Sequence, residues 1–404
     1  MKKLVLSMLF LAVAVTVSLS QNVYADFEDE LKDLQNRLAK LENKSSDTNG
    51  GIFDGLSIGG GITLVLQNLQ NANTAPEGET EFKTPTLGSY SIDLEIEKKF
   101  DDNNTAFLHL ETGHGDINDY LDAIAGVNRD ADASENVVQV TEAWFEHKFT
   151  DNFAMSVGIL DPTTALDDNA YANDETSQFL GSMFRNAANI GFSDNAFGVK
   201  ATYETDVADF AIQYVDASEY KEITRNGFAS AQVNFKPNFI DDMEGNYRVY
   251  GWTNTNDYTK IKDAETTDAK DYGFGISLDQ QLSDIFGAFA RYGWSRGDVG
   301  VDNDGALETT GIAHTWSVGL QATVNGIGEE DVVAIAYGQI IPSDDYKDNI
   351  NKDAKSENHL EVYYSWNVND YLAISPNFQM VENPFYNEND DTAYVGSIRM
   401  QISF

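Results

Sequence analysis

Through most of this chain, apolar and polar residues alternate one by one. In the last run Tyr394, Ile398, Met400, Ile402 and Phe404 fall on one side. Ala393, Ser397, Arg399, Gln401 and Ser403 fall on the other. A period of two belongs to a strand with two unlike faces. About sixteen such segments follow one another, an even number as bacterial barrels prefer. They lie near 56–69, 87–100, 104–113, 135–149, 153–160, 189–203, 208–215, 225–235, 246–255, 271–282, 286–294, 313–324, 331–341, 356–367, 371–381 and 392–404.

The connections alternate as well. Short ones, such as Asp101-Asp102-Asn103, Thr150-Asp151-Asn152, Ser283-Asp284-Ile285 and Val368-Asn369-Asp370, take turns with long acidic ones. That is the pattern of a membrane barrel with short periplasmic turns and long external loops. Aromatic residues gather at strand ends, at Phe100, Phe149, Phe153, Tyr203, Phe235, Phe286, Trp294, Trp366 and Tyr371, several of them directly flanking the short turns. A girdle of this kind suits a lipid–water boundary. A terminal strand ending on an aromatic is also how outer-membrane barrels close. The expected fold is all-β: a transmembrane antiparallel β-barrel of about sixteen strands. Both termini then lie in the periplasm and the protein in the cell outer membrane.

The front of the chain follows other periods. Residues 1–25 read as a signal peptide, with Lys2 and Lys3, an apolar stretch Leu4 to Leu19, and a small-x-small site at Val23-Tyr24-Ala25. In 26–46, Phe27, Leu31, Leu34, Leu38 and Leu41 recur at spacings of four and three. This predicts a short periplasmic coiled-coil helix, too short to be stable alone and dependent on oligomerisation. The other reading is a single amphipathic helix lying on the barrel's periplasmic rim, or plugging it. Residues 47–54 form a linker, and 55–404 form the barrel.

Composition narrows the function. The formal charge is −40, which excludes a nucleic-acid binder. Mean hydropathy is −0.38, too low for a helical membrane protein but compatible with a barrel. Cysteine is absent, so no disulfide framework is expected. The five histidines show no metal-ligand spacing and no nucleophile elbow is present, so neither an enzyme nor a metal or cofactor is expected. The oxygen-rich runs 128–135 and 302–305 do not complete a calcium loop.

Parity separates the two faces of each strand. Outward Tyr90, Ile92, Leu94 and Ile96 turn Asp93, Glu95 and Glu97 inward. The same rule points Glu142, Trp144, Glu146, Lys200, Phe289, Arg291, Glu361 and Arg399 into the lumen. Arg248 shares its face with Tyr250 and Trp252 and is ambiguous: lumen, or snorkelling at the interface. Acids on early strands (Glu95, Glu111, Glu142, Glu146) would face bases on later ones (Lys200, Arg291, Arg399). Such walls would set a transverse field and channel selectivity.

The longest connection, 161–188, follows the fifth strand. It begins Leu160-Asp161-Pro162-Thr163, continues Asn169-Ala170-Tyr171-Ala172-Asn173-Asp174-Glu175, and reaches Gln178-Phe179-Leu180 before Arg185. With Glu142-Ala143-Trp144-Phe145-Glu146 and Phe289-Ala290-Arg291-Tyr292-Gly293-Trp294, this resembles the carbohydrate-selective porin family of the bacterial outer membrane. The resemblance implies a passive diffusion channel for small hydrophilic solutes that favours sugars. It also implies that the loop folds inward as a constriction, with Asp161, Asn169, Tyr171, Asn173, Asp174, Glu175 and Arg185 at the site. Trp144, Phe289 and Tyr171 could take a sugar's ring face, and Arg, Glu and Asn its hydroxyls. Asx turns at Asp161 and Asn169 are an alternative use of the motif. The expected partners are sugars, outer-membrane lipid, two further copies in a homotrimer, and peptidoglycan at the N-terminal helix. The unusual acidity keeps a general cation porin open as an alternative, and a structural tether to the cell wall as a second.

Overall fold

A computed structural model describes residues 53–74, 84–115, 117–130, 137–217, 226–240, 243–263, 265–303 and 306–404. The signal peptide, the coiled-coil helix and most of the linker lie outside them, as does much of the run 128–135.

All sixteen anticipated strands form. They are β1 (Leu56–Gln70), β2 (Thr86–Lys99), β3 (Asn104–His114), β4 (Gln139–Thr150), β5 (Phe153–Leu160), β6 (Ala196–Glu204), β7 (Ala208–Asp216), β8 (Gly227–Phe235), β9 (Gly245–Lys260), β10 (Ala269–Gln281) and β11 (Phe286–Ser295). After a small hairpin of β12 (Val299–Asn303) and β13 (Ala306–Glu308) come β14 (Ile312–Val324), β15 (Asp331–Pro342), β16 (Glu357–Asn369), β17 (Leu372–Glu382) and β18 (Ala393–Ser403). The hairpin was not anticipated. It lies in the long connection between β11 and β14, which pair directly. The expected starts of the fourth and sixth strands, at 135 and 189, also shift. Pairing begins at Gln139 and Ala196.

Each barrel strand pairs antiparallel with its sequence neighbour, and β1 pairs with β18 from Gly61↔Ser403 to Gln70↔Tyr394. The sheet therefore closes and no edge is left to recruit another chain. The short turns share one device. Asp101, Thr150, Ser283 and Asn369 each accept, through a side-chain oxygen, the N–H two residues on. These Asx and Ser/Thr turns replace the lost ladder bond with a local one. Phe100, Phe149, Tyr203, Phe235, Phe286 and Tyr371 stand exposed beside them.

The faces are inverted relative to a water-soluble protein. Leu66, Ile212, Val249, Phe274 and Ile398 are exposed on the outside. Thr63, Gln67, Ser277, Glu361 and Arg399 are buried on the inside. A continuous apolar exterior of this extent is a surface made for hydrocarbon.

Candidate functional site

The connection 161–188 enters the barrel and packs on the inner wall of its later strands. It holds its own shape first. Asp161 caps a short 3-10 turn, Pro162–Ala165, by accepting the N–H of Thr163 at 2.8 Å. Asn169 accepts the N–H of Tyr171 at 3.0 Å. The carboxylate of Asp174 accepts from the N–H and hydroxyl of Thr176, at 2.8 and 2.7 Å, and from Ser177. Burial alone would raise the Asp174 pKa, but these bonds and the charge of Arg399 hold it below the ordinary value. Both Asx turns allowed by the sequence are therefore present.

The wall then pins the loop with charge. Arg291 donates through Nη1 to the carbonyl of Phe184 at 2.8 Å. Its Nη2 donates to the carbonyls of Asp167 and Ala172, at 3.0 and 2.6 Å. Its Nε lies 3.2 Å from the Asp167 carboxylate. Asp167 is wholly buried, and burial pushes its pKa up while Arg291 and the Ala187 N–H pull it back. Glu361 accepts the N–H groups of Leu180 and Gly181, at 2.7 and 3.0 Å. Arg399 donates to the carbonyls of Glu175 and Gln178. Arg248 pairs with Asp168 at 2.8 Å and with Asp279, which resolves its ambiguity toward the interior.

Apolar packing completes the seam. Phe179, Met183 and Phe184 of the loop meet Phe289, Ala334, Ala336, Ile340 and Tyr363 of the wall. The ring of Phe179 stands edge-on to Tyr363 at 5.0 Å, a favoured aromatic geometry. Glycines make room. A Cβ on Gly287 would lie 2.2 Å from the Tyr171 ring, and one on Gly293 would lie 1.8 Å from Asn189 Oδ1.

These contacts correct part of the expected lumen. Arg291, Glu361, Arg399 and Phe289 point inward but are buried, at 3%, 1%, 1% and 4% exposure. They hold the loop instead of meeting solvent. Two of the three expected bases are thus removed from the water-facing wall, and the opposed acidic and basic walls do not form. Asn169 bonds to Ser277 and to the carbonyl of Leu278, and the Tyr171 ring rests on Gly287. Phe289 is buried, and Tyr171, half-buried against Gly287, is not part of the cavity lining.

What remains open is off-centre. A cavity of about 1150 Å³ runs between the loop and the early strands. Asp161, Asn173, Asp174, Glu175 and Arg185 line it from the loop. Glu95 and Glu142 line it from the wall, with Asp93, His109 and Glu111. Arg185 is paired with Glu175, and His109 Nε2 lies 3.2 Å from Asp93. Beside the cavity, toward the short turns, Trp144 stacks on Phe107 at 5.0 Å with 26° between planes. The indole N–H of Trp144 donates to Glu142 at 3.0 Å, and Lys200 Nζ lies 5.9 Å from its ring. Glu146 accepts from Ser156 at 3.0 Å and is not among the cavity residues.

A second loop also reaches the cavity and was not anticipated. It brings Arg129 and Asp130, with Ser91 of β2 donating to Asp130 at 2.7 Å. Burial first, then the neighbouring Glu175, Asp93 and Glu111, push the Asp130 pKa up to about 7. Two acceptors hold this region, the half-buried Asn118 and the buried Glu357. Asn118 takes the N–H of Val127 at 2.8 Å, and Glu357 takes those of Ile124, Ala125 and Phe385. Strand parity already places Asp93 and His109 inside, so those two were within reach of the sequence. Nothing in the local pattern of 115–130 announces an inward fold.

A closed sixteen-stranded barrel with a loop packed inside it is the architecture of a porin, a channel and not an enzyme. Residues 57–404 match the family described as carbohydrate-selective porin, OprB family. The chain belongs to that family. Family and fold together imply an outer-membrane protein. Among solved structures, it is similar to Pseudomonas putida OprB at high pH, with 14% identity, 87% of this chain and 94% of that one covered, and a TM-score of 0.72. It is also similar to a triple mutant of the Rhodopseudomonas blastica porin, at 13% identity, 86% and 100% coverage, and a TM-score of 0.54. An uncharacterized protein of Synechocystis is 23% identical over 449 residues, covering 96% of this chain and 76% of its own length.

Proposed function

We propose that this protein is a passive diffusion channel for small hydrophilic solutes with a preference for carbohydrates. The loop 161–188 is the constriction, and solutes move along the early-strand side of it. The observation that carries this reading is the off-centre cavity with the Phe107–Trp144 pair beside it. A sugar has an apolar ring face and a fringe of hydroxyls. Stacked rings take the face, and Glu142, Asn173 and Arg185 exchange hydrogen bonds with the fringe. Such contacts stay weak and multiple, so that the solute leaves as readily as it enters.

Family membership supports the same cargo. The short turns lie at the end of the barrel where β1 begins and β18 ends, which suits termini in the periplasm. A homotrimer, with the N-terminal segments brought together near the cell wall, fits that orientation. Conductance in planar bilayers tests the channel. Open-channel current should fall as glucose or maltose is added. A current that neither sugar reduces would sink the carbohydrate preference.

A further inference from the structure

The buried charges of this barrel are paired, with Arg248 on Asp168 and Asp279 and Arg291 on Asp167, while the charged lining of the cavity is mostly acidic. Three wall arginines, Arg248, Arg291 and Arg399, are at most 5% exposed and bound to the inward loop. The cavity beside that loop keeps the acids. Among the described residues nine carboxylates line it, and the only arginines that do are Arg129 and Arg185. The carboxylates come from the wall strands β2, β3 and β4 (Asp93, Glu95, Glu111, Glu142), from the loop 161–188 with the segment after it, and from Asp130. Arg185 is already matched by Glu175, and His109 by Asp93. Lys200 sits over Trp144, outside the cavity lining.

A narrow, low-dielectric passage lined by one sign focuses the field and concentrates counter-ions. A neutral sugar gains nothing from that field, and an anionic one is opposed by it. The stacked Phe107–Trp144 pair is an independent feature that recognises a ring face and not a charge. Together the two features describe a solute with a sugar-like ring and a positive group.

We infer that the passage selects cationic over anionic solutes and that, among sugars, it favours those carrying an amine. This rests on the carbohydrate reading above and names the substrate class for the same passage. The wall acids Glu95 and Glu142 set the preference, and the three buried arginines keep it by leaving the water-facing surface.

Two measurements on the full-length protein test it. The first is the zero-current potential across a bilayer in a KCl gradient. Potassium should be preferred over chloride by on the order of tenfold at low salt, and less as salt rises and screens the wall. The second is liposome swelling in glucosamine, glucose and glucuronate, which are of similar size. The expected order is glucosamine, then glucose, then glucuronate. Glu95→Gln and Glu142→Gln, separately and together, should shrink both preferences. Asp353→Asn, on an exposed loop, should leave them unchanged. A permeability ratio near one, or glucuronate entering as fast as glucosamine, overturns the inference while leaving the porin standing. Swelling with no sugar removes the carbohydrate reading itself, and the gradient potential then decides charge preference alone.

Discussion

Arg399, on the last strand, donates to the carbonyl of Gln178 in the inward loop across 2.9 Å. The same nitrogen donates to the carbonyl of Glu175 at 2.8 Å, so one buried guanidinium fastens two carbonyls of one loop turn. Charge-assisted bonds of this kind are stronger than neutral ones. Arg399→Met should release this end of the loop. Single-channel recordings are expected to show higher and noisier conductance, with Arg399→Lys recovering part of the quiet state. An unchanged open-channel current in the Met variant would show that the loop holds without this bond.

Asp167 and Arg291 form the other fastening, with side chains 0% and 1% exposed. Removing one partner of a buried pair strands the other. Asp167→Asn should cost about 3–5 kcal/mol of loop or barrel stability. Thermal unfolding in detergent checks it. The double change Asp167→Asn with Arg291→Met should cost less than the two single changes added together, because neither charge is then left alone.

Gly293 faces Asn189 so closely that no side chain fits between them. Gly293→Ala should push Asn189 and its neighbour Ile190 off the wall. Overpacking of this kind costs about 1–3 kcal/mol. Faster limited proteolysis near 185–192 should accompany the loss. Proteolysis at the wild-type rate would count against the close approach.

Asp130 sets a pH dependence. Its pKa, up at about 7, lies above the ordinary 3.8, so the folded protein holds this proton more tightly than the unfolded chain. The contribution to stability is therefore full below 3.8 and falls as pH rises toward about 7. The passage changes in the same range: above about 7 Asp130 adds a negative charge. Cation preference in a salt gradient should rise between pH 6 and 8 by this residue's share. Asp130→Asn should flatten that step, and a step that survives the substitution belongs to another group.

The strands were legible because each has an apolar outer face and a polar inner one, and period two records that directly. Glu95 and Glu142 were legible for the same reason. Parity gives direction only, however. It placed Arg291, Glu361 and Arg399 correctly inside, and could not show that a loop more than a hundred residues distant in sequence covers them. The loop motif was read as a solute site, yet Asn169 and Tyr171 are spent on packing against Ser277 and Gly287. Arg129 and Asp130 were missed because their entry depends on Asn118 and Glu357, acceptors that no local pattern connects to them.

The off-centre passage divides the interior into two kinds of position. On the later strands an inward side chain is shared with the loop, so changing it alters the fold. On β2 and β4, Glu95 and Glu142 line the cavity instead. Changing those two cuts no bond to the loop among the described residues. A lineage, or an engineer, could exchange one cargo for another by rewriting that single wall while the rest of the barrel stays fixed.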